Sequence, residues 1–132
     1  KTDLAVGNFE SNNVSVPLGK GDGTFQAQGK YAVGDGPVSV AVGDFNGDGK
    51  LDLAVAGETV TTLLGKGDGT FAAGNPSYSA GTTLSLAPGD FNGDGKLDLA
   101  VPGIYGGIVS IFINTTKPYP AASTAGASNG PE

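Results

Sequence analysis

At 132 residues, with 24 glycines and a formal net charge of −6, the chain has room for one domain or a piece of one. It has no cysteine and no histidine, which excludes disulfides, thiol redox chemistry and any Ser-His or Cys-His nucleophile pair. Its basic residues are all lysine, without the planar fork that grips phosphate, so an acidic chain of this kind is a poor partner for nucleic acid.

In chain order, the first stretch offers strands near 3–7, 14–18 and 24–33, with Glu10-Ser11-Asn12-Asn13 as a polar loop. Leu18-Gly19-Lys20-Gly21-Asp22-Gly23-Thr24-Phe25 resembles a phosphate loop only superficially. It lacks the Gly-Lys-Ser/Thr ending and a following helix, and a turn that places Phe25 in the core explains it better. The second stretch offers strands near 38–43, 52–57, 60–64 and 70–80, with connections at Gly34-Asp35-Gly36-Pro37 and Glu58-Thr59. Leu64-Gly65-Lys66-Gly67-Asp68-Gly69-Thr70-Phe71 repeats the earlier motif and predicts the same burial for Phe71. The third offers 84–88, 98–102 and 108–113, with connections at Gly81-Thr82-Thr83 and Tyr105-Gly106-Gly107. These short apolar runs, broken by Gly, Asp and Asn, predict an all-β chain. No apolar run approaches the ~20 residues of a membrane span, so membrane insertion is not expected. Residues 115–132 are rich in Pro, Ala, Ser and Gly and read as a linker or irregular tail. Asn13-Val14-Ser15 and Asn114-Thr115-Thr116 match the N-glycosylation triplet, a pattern that chance also supplies.

One loop stands out because it occurs twice. Asp44-Phe45-Asn46-Gly47-Asp48-Gly49-Lys50-Leu51-Asp52 returns as Asp90-Phe91-Asn92-Gly93-Asp94-Gly95-Lys96-Leu97-Asp98, and the step from Asp44 to Asp90 is 46 residues. Side-chain oxygens fall at positions 1, 3, 5 and 9. The position-7 lysines Lys50 and Lys96 offer a main-chain carbonyl, and glycine at position 6 permits a sharp turn. Hard oxygen donors without nitrogen or sulfur describe a Ca²⁺ loop, and three carboxylates crowded there would repel one another without a cation. The competing reading is an Asx-rich hairpin turn. The loop is not an EF-hand, because position 12 is Val55 or Val101 and strands, not helices, flank it. Asp52 and Asp98 are therefore expected to close the shell, and Asp3 matches them as the last ligand of a loop whose first half is missing. Such loops suit extracellular Ca²⁺ concentrations, and two bound ions would cancel about four of the negative charges.

A repeat in the forties built of short strands points to propeller blades of about four antiparallel strands. The units fall near 1–33, 38–80 and 84–114, so one blade is complete and two are partial. The string Gly43 to Val55, with Leu64 to Phe71 behind it, resembles the FG-GAP/VCBS repeats, the blades of integrin-α-like propellers. That resemblance covers residues 1 to about 114. It implies two structural Ca²⁺ sites, one on Asp44, Asn46, Asp48, Asp52 and the Lys50 carbonyl, the other on Asp90, Asn92, Asp94, Asp98 and the Lys96 carbonyl. It also implies ligand binding on the opposite rim, at Glu10, Asn12, Asn13, Asp35, Glu58 and Tyr105, where a glycan or a protein would dock.

A Glu10–Glu58 pair is better read as two solvated acids than as a glycosidase dyad, and no enzymatic activity is expected. The functional expectation is adhesion or recognition at the cell surface or outside the cell. One alternative is a structural subunit of a ring, fibre or surface layer; another is an accessory domain of a secreted polysaccharide-active enzyme. A blade buries both faces, so this chain is expected to belong to a longer one or to self-associate, and light scattering tests that.

Overall fold

The computed structural model describes residues 1–27, 29–72, 75–78 and 82–114, with 75–78 taken by their backbone alone. Residues 115–132, which include Thr115 and Thr116 of the Asn114 triplet, and Gly81 of the Gly81-Thr82-Thr83 connection lie outside the described residues. Among the described residues, ten strands form three antiparallel meanders. The first sheet holds β1 (Val6–Asn8), β2 (Asn13–Val16) and β3 (Gly29–Ala32) in that order. The second holds β4 (Ser39–Gly43), β5 (Asp52–Ala56), β6 (Val60–Leu63) and β7 (Asn75–Tyr78). The third holds β8 (Ala87–Gly89), β9 (Asp98–Pro102) and β10 (Val109–Phe112). This is the all-β arrangement of one four-stranded and two three-stranded blades. No helix among the described residues is long and apolar enough to cross a membrane.

β5 is the centre of the molecule, and all five of its residues are buried. Alternation along the strand divides them between two cores. Leu53 and Val55 join Val14, Val16 and Leu63 between the first and second sheets. Ala54 joins Ala41, Phe45, Val60, Leu99, Val101 and Phe112 between the second and third. Each fully buried Leu or Val there contributes ~1.5–3 kcal/mol relative to exposure.

Several strands are shorter than the sequence suggests. The first strand begins at Val6 rather than residue 3; among the described residues no strand pairs with Asp3 to Ala5 on the inner side. Gln26, Ala27 and Ala72 stay outside the outer strands β3 and β7, since each Gly-Asp-Gly-Thr-Phe run first closes a tight hairpin of its own. Isolated bridges Gly19↔Phe25 and Gly65↔Phe71 pin those hairpins. Inside them Lys20 N donates to Thr24 O and Lys66 N to Thr70 O, both at 2.9 Å. A single 3-10 turn, Phe9–Ser11, fills the β1–β2 connection.

The two repeated phenylalanines part company. Phe71 packs against the core between the first two sheets and meets Tyr31 edge-to-face, with ring centroids 5.4 Å apart. Phe25 is 41% exposed, contrary to the expected burial; no described sheet packs on the face it occupies.

Candidate metal centre

Each acidic loop joins the two inner strands of a blade, β4 to β5 and β8 to β9. Gly47 and Gly49 hold φ of 76° and 82°, and Gly93 and Gly95 hold 77° and 84°. A Cβ at these positions would meet nothing, so backbone conformation rather than space demands glycine.

That backbone folds around the first aspartate. Asp44 Oδ1 accepts from Gly47 N at 2.8 Å and Asp48 N at 3.1 Å, while its Oδ2 accepts from Gly49 N at 2.8 Å. Asp48 Oδ1 accepts from Lys50 N at 2.9 Å, and Asn46 Nδ2 donates to Asp48 Oδ2 at 3.3 Å. Asp90, Asn92 and Asp94 reproduce this network bond for bond. The Gly95 N–H, followed by those of Gly93 and Asp94, holds the Asp90 carboxyl below the ordinary range. Position 7 behaves differently from the other donors: the Lys50 and Lys96 amides hold the position-5 carboxylates in place.

Asp52 and Asp98 stand apart from these exposed groups. Both are buried at the first residue of a strand. Asp52 Oδ2 accepts from Phe45 N and Oδ1 from Gly65 N, each at 2.8 Å. Asp98 Oδ2 accepts from Phe91 N at 2.9 Å and Oδ1 from Asn114 N at 2.8 Å. Asp3 Oδ1 takes the Gly19 N–H at 2.8 Å in the same way. Asp52 and Asp98 tie the acidic loop to the turn after the third strand, a structural task that needs no metal. Burial pushes the Asp52 carboxyl up; the Gly65 and Phe45 N–H groups pull it down, and the Asp48 and Asp44 charges add to the rise.

In donor chemistry the residues fit a hard cation. Asp44, Asn46 and Asp48 each bring an oxygen acceptor, and a carboxylate with about four lone-pair sites has capacity left after two or three N–H bonds. Among the described residues no group of three or more Asp, Glu, His or Cys side chains converges as a preformed cluster. The site is a loop of two carboxylates and an amide, with Asp52 or Asp98 behind it.

The opposite ends of the sheets carry the candidate rim. Asn12, in the left-handed region at φ 52°, binds the next connection. Its Nδ2 donates to Asp35 Oδ1 at 3.0 Å, and its Oδ1 accepts from Gly36 N at 2.9 Å. Glu58 N donates to Asp35 O at 3.0 Å. Gly57 lets the chains approach, since a Cβ there would lie 2.4 Å from the Asp35 and Gly36 carbonyl oxygens. Asn12, Asp35 and Glu58 thus meet between the first two blades, with Asn12 and Asp35 engaged in holding the connection. Asn13 Oδ1 accepts from Asn8 Nδ2 at 2.7 Å, and Glu10 lies on the exposed 3-10 turn. Tyr105 is 78% exposed on the third blade's hairpin, away from that cluster.

Sequence reasoning missed Asn114 and Thr83. Asn114 Nδ2 donates to Phe45 O at 2.6 Å and Leu97 O at 3.1 Å, joining the second and third blades. Thr83, fully buried, donates through Oγ1 to Pro102 O at 2.6 Å. Their side-chain partners are remote in sequence, and Asn114 stands where the other repeats carry Gly19 and Gly65, which have no side chain to bond with.

A family model for FG-GAP-like repeats matches residues 1–55 and again residues 53–101. The chain belongs to the FG-GAP-like repeat family. Each match in this FG-GAP-like chain ends within the strand that follows an acidic loop, β5 in one case and β9 in the other. No curated protein and no solved structure matches it.

Proposed function

We propose that this FG-GAP-like chain is a Ca²⁺-stabilised β-propeller scaffold that acts in recognition or adhesion outside the cell, without catalytic chemistry of its own. The observation that carries the reading is the doubled acidic loop, whose Asp, Asn and Asp side chains occupy the same hydrogen-bonded positions in two blades. Asp44, Asn46 and Asp48, with the Lys50 carbonyl and Asp52 behind, would hold one ion; Asp90, Asn92, Asp94, Lys96 and Asp98 would hold the other. The ion would neutralise the loop and brace the hairpin between the inner strands of each blade.

Calorimetric titration of the 132-residue chain with Ca²⁺ tests this, with two ions taken up and a melting point raised by several degrees as the expected result. Asp48→Ala with Asp94→Ala should abolish uptake. No uptake, with melting unchanged by chelator, would overturn the reading. A glycan or protein ligand would dock on the opposite rim, where Glu10, Glu58 and Tyr105 stand in loops that differ between blades. A glycan array probed with the Ca²⁺-loaded chain separates those two ligands.

A second reading, a subunit that stacks with further blades, rests on a different observation. Residues at equivalent repeat positions are buried inside the chain and open at its two ends. Val60 is 2% exposed and its counterpart Val109 is 44% exposed. Concentration-dependent mass in light scattering supports stacking; a constant monomer mass removes it.

A further inference from the structure

The Asn114 N–H donates to Asp98 Oδ1, as the Gly65 N–H does to Asp52 and the Gly19 N–H to Asp3. At the two glycines a Cβ would run into the carbonyl oxygens of Leu51 and Thr2, so the turn leaves no room for a side chain. The third blade has a side chain at this place and uses it. The Asn114 amide nitrogen carries two hydrogens, and they reach Phe45 O at 2.6 Å and Leu97 O at 3.1 Å. Phe45 is the second residue of one acidic loop, and Leu97 is the eighth of the other.

A continuous run of bonds therefore joins the two loop-closing aspartates. Asp52 Oδ2 accepts from Phe45 N, Phe45 O accepts from Asn114 Nδ2, and Asp98 Oδ1 accepts from Asn114 N. All four residues are buried, so water does not compete for these bonds. The loops also meet through apolar contact: a Cβ on Gly43, just before Asp44, would lie 2.6 Å from Leu97 Cδ1.

We infer that Asn114 is a positioning residue that couples the two acidic loops, so that a divalent cation held by one raises the affinity of the other. The inference rests on the Ca²⁺ reading given above. A cation that draws Asp44, Asn46 and Asp48 together fixes the turn that carries Phe45. The Phe45 carbonyl then fixes Asn114, which holds Asp98 and Leu97 at the base of the second loop. That loop has less freedom left to lose when its own cation arrives, and the effect is reciprocal.

Ca²⁺ affinity is measured on whole 132-residue chains by competition with a chromophoric chelator. Asp94→Ala gives the association constant of the first loop alone, Asp48→Ala that of the second, and the parent the overall constant for both. Both substituted side chains are exposed, so these variants should melt with the parent. The parent's overall constant should exceed the product of the single-loop constants by about fivefold or more. With Asn114→Gly added to all three chains, it should fall to the simple product. Two ions bound by the parent without any excess would sink the coupling and leave the metal reading standing. An excess that survives Asn114→Gly would also sink it, and no uptake by the parent would remove both. Hydrogen exchange followed by NMR leaves Asn114 untouched. Ca²⁺ added to the Asp48→Ala chain, where only the second loop binds, should slow exchange of the Phe45 N–H; unchanged exchange there overturns the inference.

Discussion

Asp52 holds two main-chain N–H groups, those of Phe45 and Gly65, from a position with no solvent access. Removing the carboxylate leaves both donors buried and unpaired. Asp52→Ala should therefore cost about 2–4 kcal/mol in urea denaturation with chelator present. Asp3, exposed and with one such bond, should cost about 1 kcal/mol or less when replaced by Ala. The recurrence of an aspartate at this place was legible in the sequence, even where the acidic loop did not recur. Its partner was not, because Gly65 reaches it only when the hairpin folds back. Asp22 and Asp68 show a different use of charge. The hydroxyls of Thr24 and Thr70, followed by their N–H groups, hold these carboxyls below their usual range. A depressed folded value means stability that is complete above the unfolded carboxyl range, near ~4, and lost as pH falls through the folded value. Asp22→Asn with Asp68→Asn should flatten the fall in melting temperature on acidification below about pH 4, measured by circular dichroism.

At the scale of the element, repeat positions separate sequence from context. Leu4 and Leu53 occupy the same place in two blades, yet one is 45% exposed and the other 3%. Leu53→Ala should cost ~2–5 kcal/mol through lost transfer energy and a cavity, whereas Leu4→Ala should cost under ~1 kcal/mol, both read by chemical denaturation. The Gly-Asp-Gly-Thr-Phe runs were recognisable as turns from their glycines, and they keep Gln26, Ala27 and Ala72 out of the outer strands. Strand starts were the weaker part of the reading, because a ladder begins where a neighbour begins. β1 has three residues for that reason, whereas β8 has three although β9 runs on to Pro102, whose carbonyl takes the Thr83 hydroxyl.

At the scale of the whole molecule, two interfaces are built by the same rule. One blade offers Leu53, Val55 and Leu63 to its predecessor, and offers Phe45, Ala54 and Val60 to its successor. The outermost blades carry the same two surfaces, through Leu4 and Val6 at one end and Phe91 and Val109 at the other, each more than two-fifths exposed. These surfaces are complementary, since they are the two halves of an interface already made twice. Val109→Asp should return any assembled form to monomer in light scattering. It should leave the melting temperature of the monomer within a degree or two, because Val109 is open there.

Strand type, turn positions, the repeat and the spacing of the acidic loops were settled by the sequence, because each depends on residues a few places apart. Glycine φ preferences and the alternation of apolar side chains act over that range. Only the tertiary structure decided which copy of a repeated residue is buried, which aspartate serves the main chain and which edge stays open. Those outcomes depend on the surface that faces each residue across a sheet, and identical letters in successive blades meet different neighbours.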